Sequence, residues 1–260
     1  MRILFIGDVV GKPGRDVVRR QIPRIKKEEN ISAVIVNGEN AAGGSGLTEK
    51  VVRGFFDAAV DIITSGDHIW KKREIYSFLD QTDRLIRPLN YPLGAPGRGY
   101  TVIGLSSGIK LGVINLIGRV FMDAVDCPFH AVGKAVREIS KETPVIIVDM
   151  HAEATSEKVA MGWFLDGKVS AVLGTHTHVQ TADEKILPAG TAYITDCGMT
   201  GPFDSVIGRV KENIIERFFT QLPTRFEVAD KGLEAHGVII DIDSETGKAR
   251  DIKRVQIKDI

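Results

Sequence analysis

The sequence predicts an α/β fold of two packed sheets with helices outside, and three observations predict it. The early apolar runs are short, continuously hydrophobic and separated by longer amphipathic stretches, the pattern of a sheet covered on both faces. The later part is richer in hairpin-like strand pairs, such as VIIDIDSETGKARDIKRV with Thr246 and Gly247 at its turn. No internal repeat, low-complexity tract or linker interrupts the chain, so a single domain over 1–260 is expected.

Residues 2–7 read as a strand, and a helical stretch over about 15–29 follows, beginning near Pro13. Residues 33–37 form a second strand. After a Gly-rich loop, Thr48 caps a helix with an apolar face of Val51, Val52, Phe55, Phe56 and Ala59. A strand near 61–64 and a helix near 71–80 come next. Pro88, Pro92, Pro96 and several glycines make 81–100 a long irregular loop. Strands near 101–105 and 111–117, a helix near 129–141, and strands at 144–149 and 169–173 with a helical segment between them continue the pattern. The tail reads as a strand near 191–195, a helix near 209–221, and strands near 236–243 and 251–257.

At 260 residues, 43% hydrophobic and 26% charged, the chain can bury a large core. Its formal net charge of zero supplies no global field for DNA or an anionic membrane. The apolar N-terminal run stops at Asp8 without a cleavage pattern, so it reads as a buried strand. No stretch approaches the roughly 20 apolar residues that cross a bilayer. Cys127 and Cys197 form neither a disulfide framework nor a C-x-x-C pair, which suits a reducing cytoplasm.

The chemistry lies where the apolar runs end. One run ends at Asp8, the next at Glu39 and Asn40, the third at Asp67 and His68. Two later runs end at His151 and at His176-Thr177-His178. Taken singly, an Asp after a strand is ordinarily a helix cap or turn residue, and Glu39-Asn40 a solvated loop. The two imidazoles flanking Thr177 point to a metal more than the other groups do. Jointly, if these strands are mostly parallel, all the groups gather along one edge, where open α/β sheets place their ligands. Burying three carboxylates without a counter-charge costs several kcal/mol per ion. A pair of divalent ions removes that cost, and mixed imidazole and carboxylate donors suit Zn, Fe, Mn or Co.

Other chemistries fail on spacing. Gly7 to Lys12 is one residue short of a P-loop, and Pro13 stands where Ser or Thr should bind Mg²⁺. The glycines at 43, 44 and 46 lack dinucleotide-binding spacing, and no G-x-S-x-G elbow is present. His130 and His236 read as structural or surface histidines.

The phrases FIGDVVGKPG, NGENAAGGSG, SGDHIWKKREI, DMHAEATSEK and GTHTHVQTAD resemble the calcineurin-like metallophosphoesterase superfamily, in its YmdB-type cyclic-nucleotide phosphodiesterase branch. The resemblance spans nearly the whole chain and implies a four-layer α/β/β/α sandwich of two mixed sheets. It also implies two divalent ions, Fe or Mn ahead of Zn, Co or Mg. By that resemblance Asp8, Glu39 and His178 would hold one ion, and Glu39 would bridge to a second held by Asp67, His151 and His176. Asn40 would touch the second ion or the phosphate, and His68 would protonate the leaving group. The implied reaction is attack on a phosphodiester, 2′,3′-cyclic nucleotide or RNA-derived, by a hydroxide held between ions about 3.5–4 Å apart.

Two residues depart from the family pattern. The superfamily's Asp-x-His has Val10 at its third position, and Gly-Asn-His is Gly66-Asp67-His68. The extra carboxylate lowers the formal charge of a two-ion site from +2 to +1, which disfavours a dianionic monoester more than a monoanionic diester. Two rivals remain: a phosphomonoesterase, and a regulatory nucleotide- or RNA-binding protein using loop 81–100 and Arg119. A homo-oligomer is compatible with all of these readings.

Overall fold

A computed structural model describes residues 1–258. The chain opens with β1 (Arg2–Ile6) and the two-residue β2 (Asp8–Val9). These are separate strands because Gly7 passes so close to the Gly198 carbonyl that no side chain fits there. Helix α1 (Gly11–Glu28) starts four residues before the expected position. Pro13 lies in its first turn, where its missing N–H leaves nothing unpaired. β3 (Ala33–Asn37) leads to α2 (Glu49–Asp57), whose Val51 N–H is capped by the Thr48 hydroxyl at 3.3 Å.

β4 (Ile62–Thr64) is followed by a difference from the expected helix near 71–80. A 3₁₀ turn (Asp67–Lys71) and the short α3 (Ile75–Leu79) stand there instead. The His68 N–H donates to Glu39 Oε2 at 3.3 Å, which ties this turn to the loop after β3. Segment 81–100 is irregular but not a free surface loop. Arg87 is buried and donates to the carbonyls of Pro88, Leu89, Ala95 and Pro96, while Asn90 reaches Ile117 O and Asp126 O.

Next come β5 (Tyr100–Gly104), β6 (Lys110–Ile117), α4 (Pro128–Ile139), β7 (Ile146–His151), α5 (Thr155–Leu165) and β8 (Ala171–Thr175). Two short strands, β9 (Lys185–Ile186) and β11 (Met199–Pro202), flank β10 (Ala192–Ile194). Like β2, they are too short to leave a periodic signal. Helix α6 (Lys211–Thr220) precedes the hairpin of β12 (Leu233–Ile242) and β13 (Ala249–Lys258). In its turn Gly247 takes φ 73°, and Asp243 Oδ1 accepts from Glu245 N and Thr246 N.

The first sheet runs β2-β11-β12-β1-β3-β4, with β13 also paired to β12. The second runs β5-β6-β7-β8-β10-β9. Within them β1, β3 and β4 are parallel, as are β6, β7, β8 and β10. Alternation along β1 shows the layering. Ile3 and Phe5 enter the core between the sheets, facing Val113, Ile147 and Leu173, while Leu4 and Ile6 enter the core under α1 and α2. A third core joins the second sheet to α4 and α5. The result is the α/β/β/α sandwich, and burying each large aliphatic side chain contributes about 1.5–3 kcal/mol. His130 is exposed on α4. His236 is buried on β12, paired with Glu234 Oε2 at 3.0 Å and packed on Phe203.

Candidate metal centre

The parallel strands of both sheets end at one edge, and all eight residues singled out in the sequence gather there. Asp8 opens β2 directly after β1, and Glu39 and Asn40 follow β3. Asp67 and His68 open the 3₁₀ turn after β4, His151 is the last residue of β7, and His176 and His178 follow β8. Asp8, Glu39, Asn40 and His151 are buried, and the others are half-buried.

Two overlapping donor groups emerge. Glu39, Asp67, His151 and His176 bring ligand atoms within 4.8 Å of one another, as do Asp8, Glu39 and His178. Glu39 alone belongs to both. In the first group His151 Nε2 lies 3.1 Å from Glu39 Oε2, 3.2 Å from Asp67 Oδ1 and 3.0 Å from His176 Nδ1. In the second, His178 Nε2 lies 3.9 Å from Asp8 Oδ1. That Asp8 oxygen is buried with no hydrogen-bond partner among the described residues, as a carboxylate aimed at a cation would be. Gly66 lines the same space, where an added Cβ would overlap Glu39 Oε2 and His151 Nε2.

The ring tautomers follow from the outer contacts. His178 Nδ1 sits 3.0 Å from the Ile207 carbonyl, which can only accept, so Nδ1 carries the proton and Nε2 offers its lone pair. The Thr175 hydroxyl donates to Asp149 Oδ1 at 2.7 Å and so accepts from His151 Nδ1 at 2.9 Å, again leaving Nε2 free. Burial pushes Asp149 up to about 6, so it is mostly ionised at neutral pH and serves as the acceptor ending this relay. His68 Nδ1 donates to Asn40 Oδ1 at 2.8 Å, and Asn40 Nδ2 donates to Glu39 Oε1 at 2.7 Å. His68 belongs to neither donor group.

Electrostatics show what the cluster lacks. Burial raises the Asp8 carboxyl. Burial would also raise Glu39, but the imidazoles of His151 and His68 hold it well below the usual carboxylate range. Burial would lower His151, yet Glu39, Asp67 and Asp8 raise it well above the usual range. Burial and that charged neighbour push His176 down to about 4. A proton on His151 thus stands where a cation would neutralise the carboxylates. The donor set therefore fits divalent metal.

Sequence reasoning missed the groups that aim these ligands. His176 and His178 both take positive φ, at 99° and 66°, a strain of about 1–3 kcal/mol each for residues other than glycine. The turn is pinned by Asp8 Oδ2, which accepts His176 N at 3.1 Å, and by Asp196 Oδ2, which accepts Thr177 N at 3.1 Å and Thr177 Oγ1 at 2.7 Å. Asp196 is held in turn by the buried Lys158 ammonium at 2.7 Å. Breaking such a pair costs about 3–5 kcal/mol, more than the strain at either histidine. Lys158 sits inside α5 and, as a lysine, looks solvated from sequence. Asp149 is hidden in the apolar run of β7.

An α/β/β/α sandwich with this donor set at its parallel strand ends defines the metallophosphoesterase class. More particularly, the chain belongs to the YmdB-like protein family, whose family model matches residues 4–255. It is 53% identical, over 100% of this chain and 98% of the relative, to a 2′,3′-cyclic-nucleotide 2′-phosphodiesterase of Bacillus subtilis strain 168. A crystal structure of a protein from Thermus thermophilus superposes with TM-score 0.93 at 41% identity, covering 100% of both chains. One from Mycoplasma pneumoniae, described as a novel phosphatase, superposes with TM-score 0.93 at 35% identity over 99% of this chain and 93% of the other.

Proposed function

We propose that the protein hydrolyses 2′,3′-cyclic nucleotides at a centre of two divalent ions. The observation that carries this reading is the single carboxylate, Glu39, shared by two donor groups. The Bacillus subtilis relative, 53% identical along the whole chain, supports the substrate class and cleavage of the 2′-ester. Asp8, Glu39 and His178 hold one ion; Glu39, Asp67, His151 and His176 hold the other. The mixed imidazole and carboxylate donors suit Zn, Fe, Mn or Co, and the family resemblance favours Fe or Mn. Bound ions supply Lewis acidity, making a water nucleophilic near neutral pH and neutralising phosphate oxygens.

The chain's own groups do the rest. Asn40 Oδ1 is engaged by His68, and Asn40 Nδ2 faces Glu39 Oε1 and, at 3.1 Å, His178 Nε2. That direction suits an N–H donated to a phosphate oxygen more than ligation of an ion. Burial would lower His68, but Glu39 and Asp67 raise it, which keeps a proton available for the leaving 2′-oxygen. Free Cys127 and Cys197 suit a reducing compartment, and we assign the enzyme to the cytoplasm. No described helix is long and apolar enough to cross a membrane.

The test is turnover by chelator-stripped protein reloaded with Mn²⁺. Hydrolysis of 2′,3′-cyclic AMP to the 3′-monophosphate, faster than that of para-nitrophenyl phosphate, is expected. Faster monoester turnover would make it a phosphomonoesterase, and binding without turnover would make it a regulatory nucleotide binder.

Metal affinity should rise with pH. A cation must displace the His151 proton, so affinity is weakest below the raised pKa and gains up to about tenfold per pH unit as that proton leaves. His176, neutral above about 4, adds no proton near neutrality. Calorimetric Mn²⁺ titrations in buffers of different ionisation enthalpy should detect the release. Affinity that stays flat between pH 6 and 8 would contradict this.

Asp67 Oδ1 lies 3.2 Å from His151 Nε2 and 3.6 Å from His176 Nδ1, so its charge acts directly on the second donor group. Asp67→Asn should weaken metal retention and lower the pH optimum by about one unit, because one fewer anion strengthens the Lewis acid. It should also raise monoester turnover relative to diester turnover. An unchanged pH profile and substrate ratio would show that position 67 does not tune the centre.

A further inference from the structure

Beside the metal centre stands a wall that hydrolysis of the phosphate does not need. A cleft of about 460 Å³ is lined both by the candidate-centre residues Glu39, His68, His176 and His178 and by Ile207, Arg209, Ile214, Phe218 and Phe226. Most of the latter group comes from α6 and the segment after it. α6 is unusual in this fold because none of its residues is buried. Phe218 is 75% exposed, and Phe226 is 44% exposed with the Arg217 guanidinium 5.0 Å from its ring centroid. Ile214 and Phe218, four residues apart on one helix face, both line the cleft. Large aromatic rings left in water beside a polar centre call for an apolar occupant.

The wall is nevertheless anchored. The Ile207 carbonyl accepts the His178 Nδ1 proton at 3.0 Å, so the segment that shapes the wall also orients a candidate ligand. Arg209 donates to the Gly44 carbonyl and, at 3.3 Å, to the Phe226 carbonyl, tying the loop after β3 to the aromatic segment. Val210 N donates to Glu227 O at 3.0 Å, and Asn213 Nδ2 to Arg225 O at 3.1 Å, which joins α6 to the strand-like stretch carrying Phe226. The wall therefore stands at a set distance from the centre although no core holds α6.

We infer that this wall is the nucleobase subsite, with Phe218 and Phe226 presenting their rings to the planar base of a nucleoside cyclic phosphate whose phosphate lies at the metal centre. This rests on the proposed phosphodiesterase reading and deepens it by naming the part of the substrate that confers selectivity. The cleft combines carboxylate and imidazole groups with aromatic rings, as binding a cyclic nucleotide requires of its phosphate and base sites. A base-free cyclic phosphate would leave the aromatic rings in water. Stacking on an aromatic ring is tolerant of base identity, so the subsite distinguishes nucleotides from other diesters more than one base from another.

The experiment compares wild type, Phe218→Ala, Phe226→Ala and Phe218→Trp, all loaded with Mn²⁺, on 2′,3′-cyclic AMP and on glycerol 1,2-cyclic phosphate. Each alanine variant should lose roughly 5- to 150-fold in kcat/KM on the nucleotide, mainly through KM, and little on the base-free diester. Phe218→Trp should retain nucleotide turnover. Equal losses on both substrates, or none on either, would overturn the subsite. So would an alanine variant that changes oligomeric state while keeping its nucleotide KM, because the rings would then be a contact between copies of the chain. If wild type turns over neither substrate, the catalytic reading fails while the subsite is still decided. Calorimetric binding of adenosine 3′-monophosphate should then weaken in the alanine variants, and unchanged affinity would refute the subsite. Both rings are solvent-exposed, so thermal melting should be unchanged in every variant.

Discussion

Replacing Glu39 by Gln should abolish phosphodiester turnover and remove metal while the fold survives. Glu39 is the only residue common to both donor groups, so on the proposed two-ion reading its loss would strip a ligand from each ion at once. The carboxamide keeps the volume and can still accept the His68 N–H, but it lacks the charge that helps hold His151 protonated. Outer partners of metal ligands cost about 10–100-fold in affinity or activity when removed, and a shared direct ligand should exceed that. Elemental analysis should find fewer than two ions per chain, and circular dichroism should match wild type. A variant that keeps two ions and near-normal turnover would remove Glu39 from the bridge.

The second large effect is expected at His68, and it should depend on the leaving group. His68 stands outside both donor groups, and its Nδ1 proton is committed to Asn40 Oδ1, so the proton for the leaving group sits on Nε2, 3.6 Å from Asp67 Oδ2. His68→Ala should therefore slow 2′,3′-cyclic AMP hydrolysis by about 10²–10⁴-fold, because a ribose alkoxide needs a proton as it departs. A para-nitrophenolate leaving group, stable without one, should suffer far less in bis-para-nitrophenyl phosphate. Metal content should stay at the wild-type value. The alkaline limb of the wild-type pH profile should reflect deprotonation of this raised imidazole and should vanish in the variant. Equal losses on both substrates, or a missing ion, would reassign His68.

The elements that carry the candidate ligands were legible because each is a local pattern. β1, β3 and β8 announce themselves as apolar runs bounded by polar residues, and Thr48 marks the start of α2 by its own hydroxyl. The elements that were missed have no such pattern. β2 exists because it pairs with β11, Asp8 beside Met199, across most of the chain's length, and β11 pairs on its other side with β12. Where a helix near 71–80 is expected, a 3₁₀ turn and one short helix stand, the turn tied to Glu39 by a tertiary hydrogen bond that no local pattern announces.

Sequence by itself determined the α/β class, the strand ends and the donor types placed on them, since hydrophobic period and punctuation report burial and backbone state residue by residue. Tertiary structure alone decided which donors share a space. Glu39 meets His151 and His178 only because two separate sheets pack with their parallel strands ending at one edge. It alone decided the ligand lone pairs, through Thr175 and the Ile207 carbonyl, and the strained turn at His176 and His178, held by a buried Lys158–Asp196 pair. It also set the exposed Phe218 of α6, and Phe226 after it, in the same cleft as the candidate donors. These are contacts between groups far apart in the chain, and their energies depend on register and packing that no local window contains.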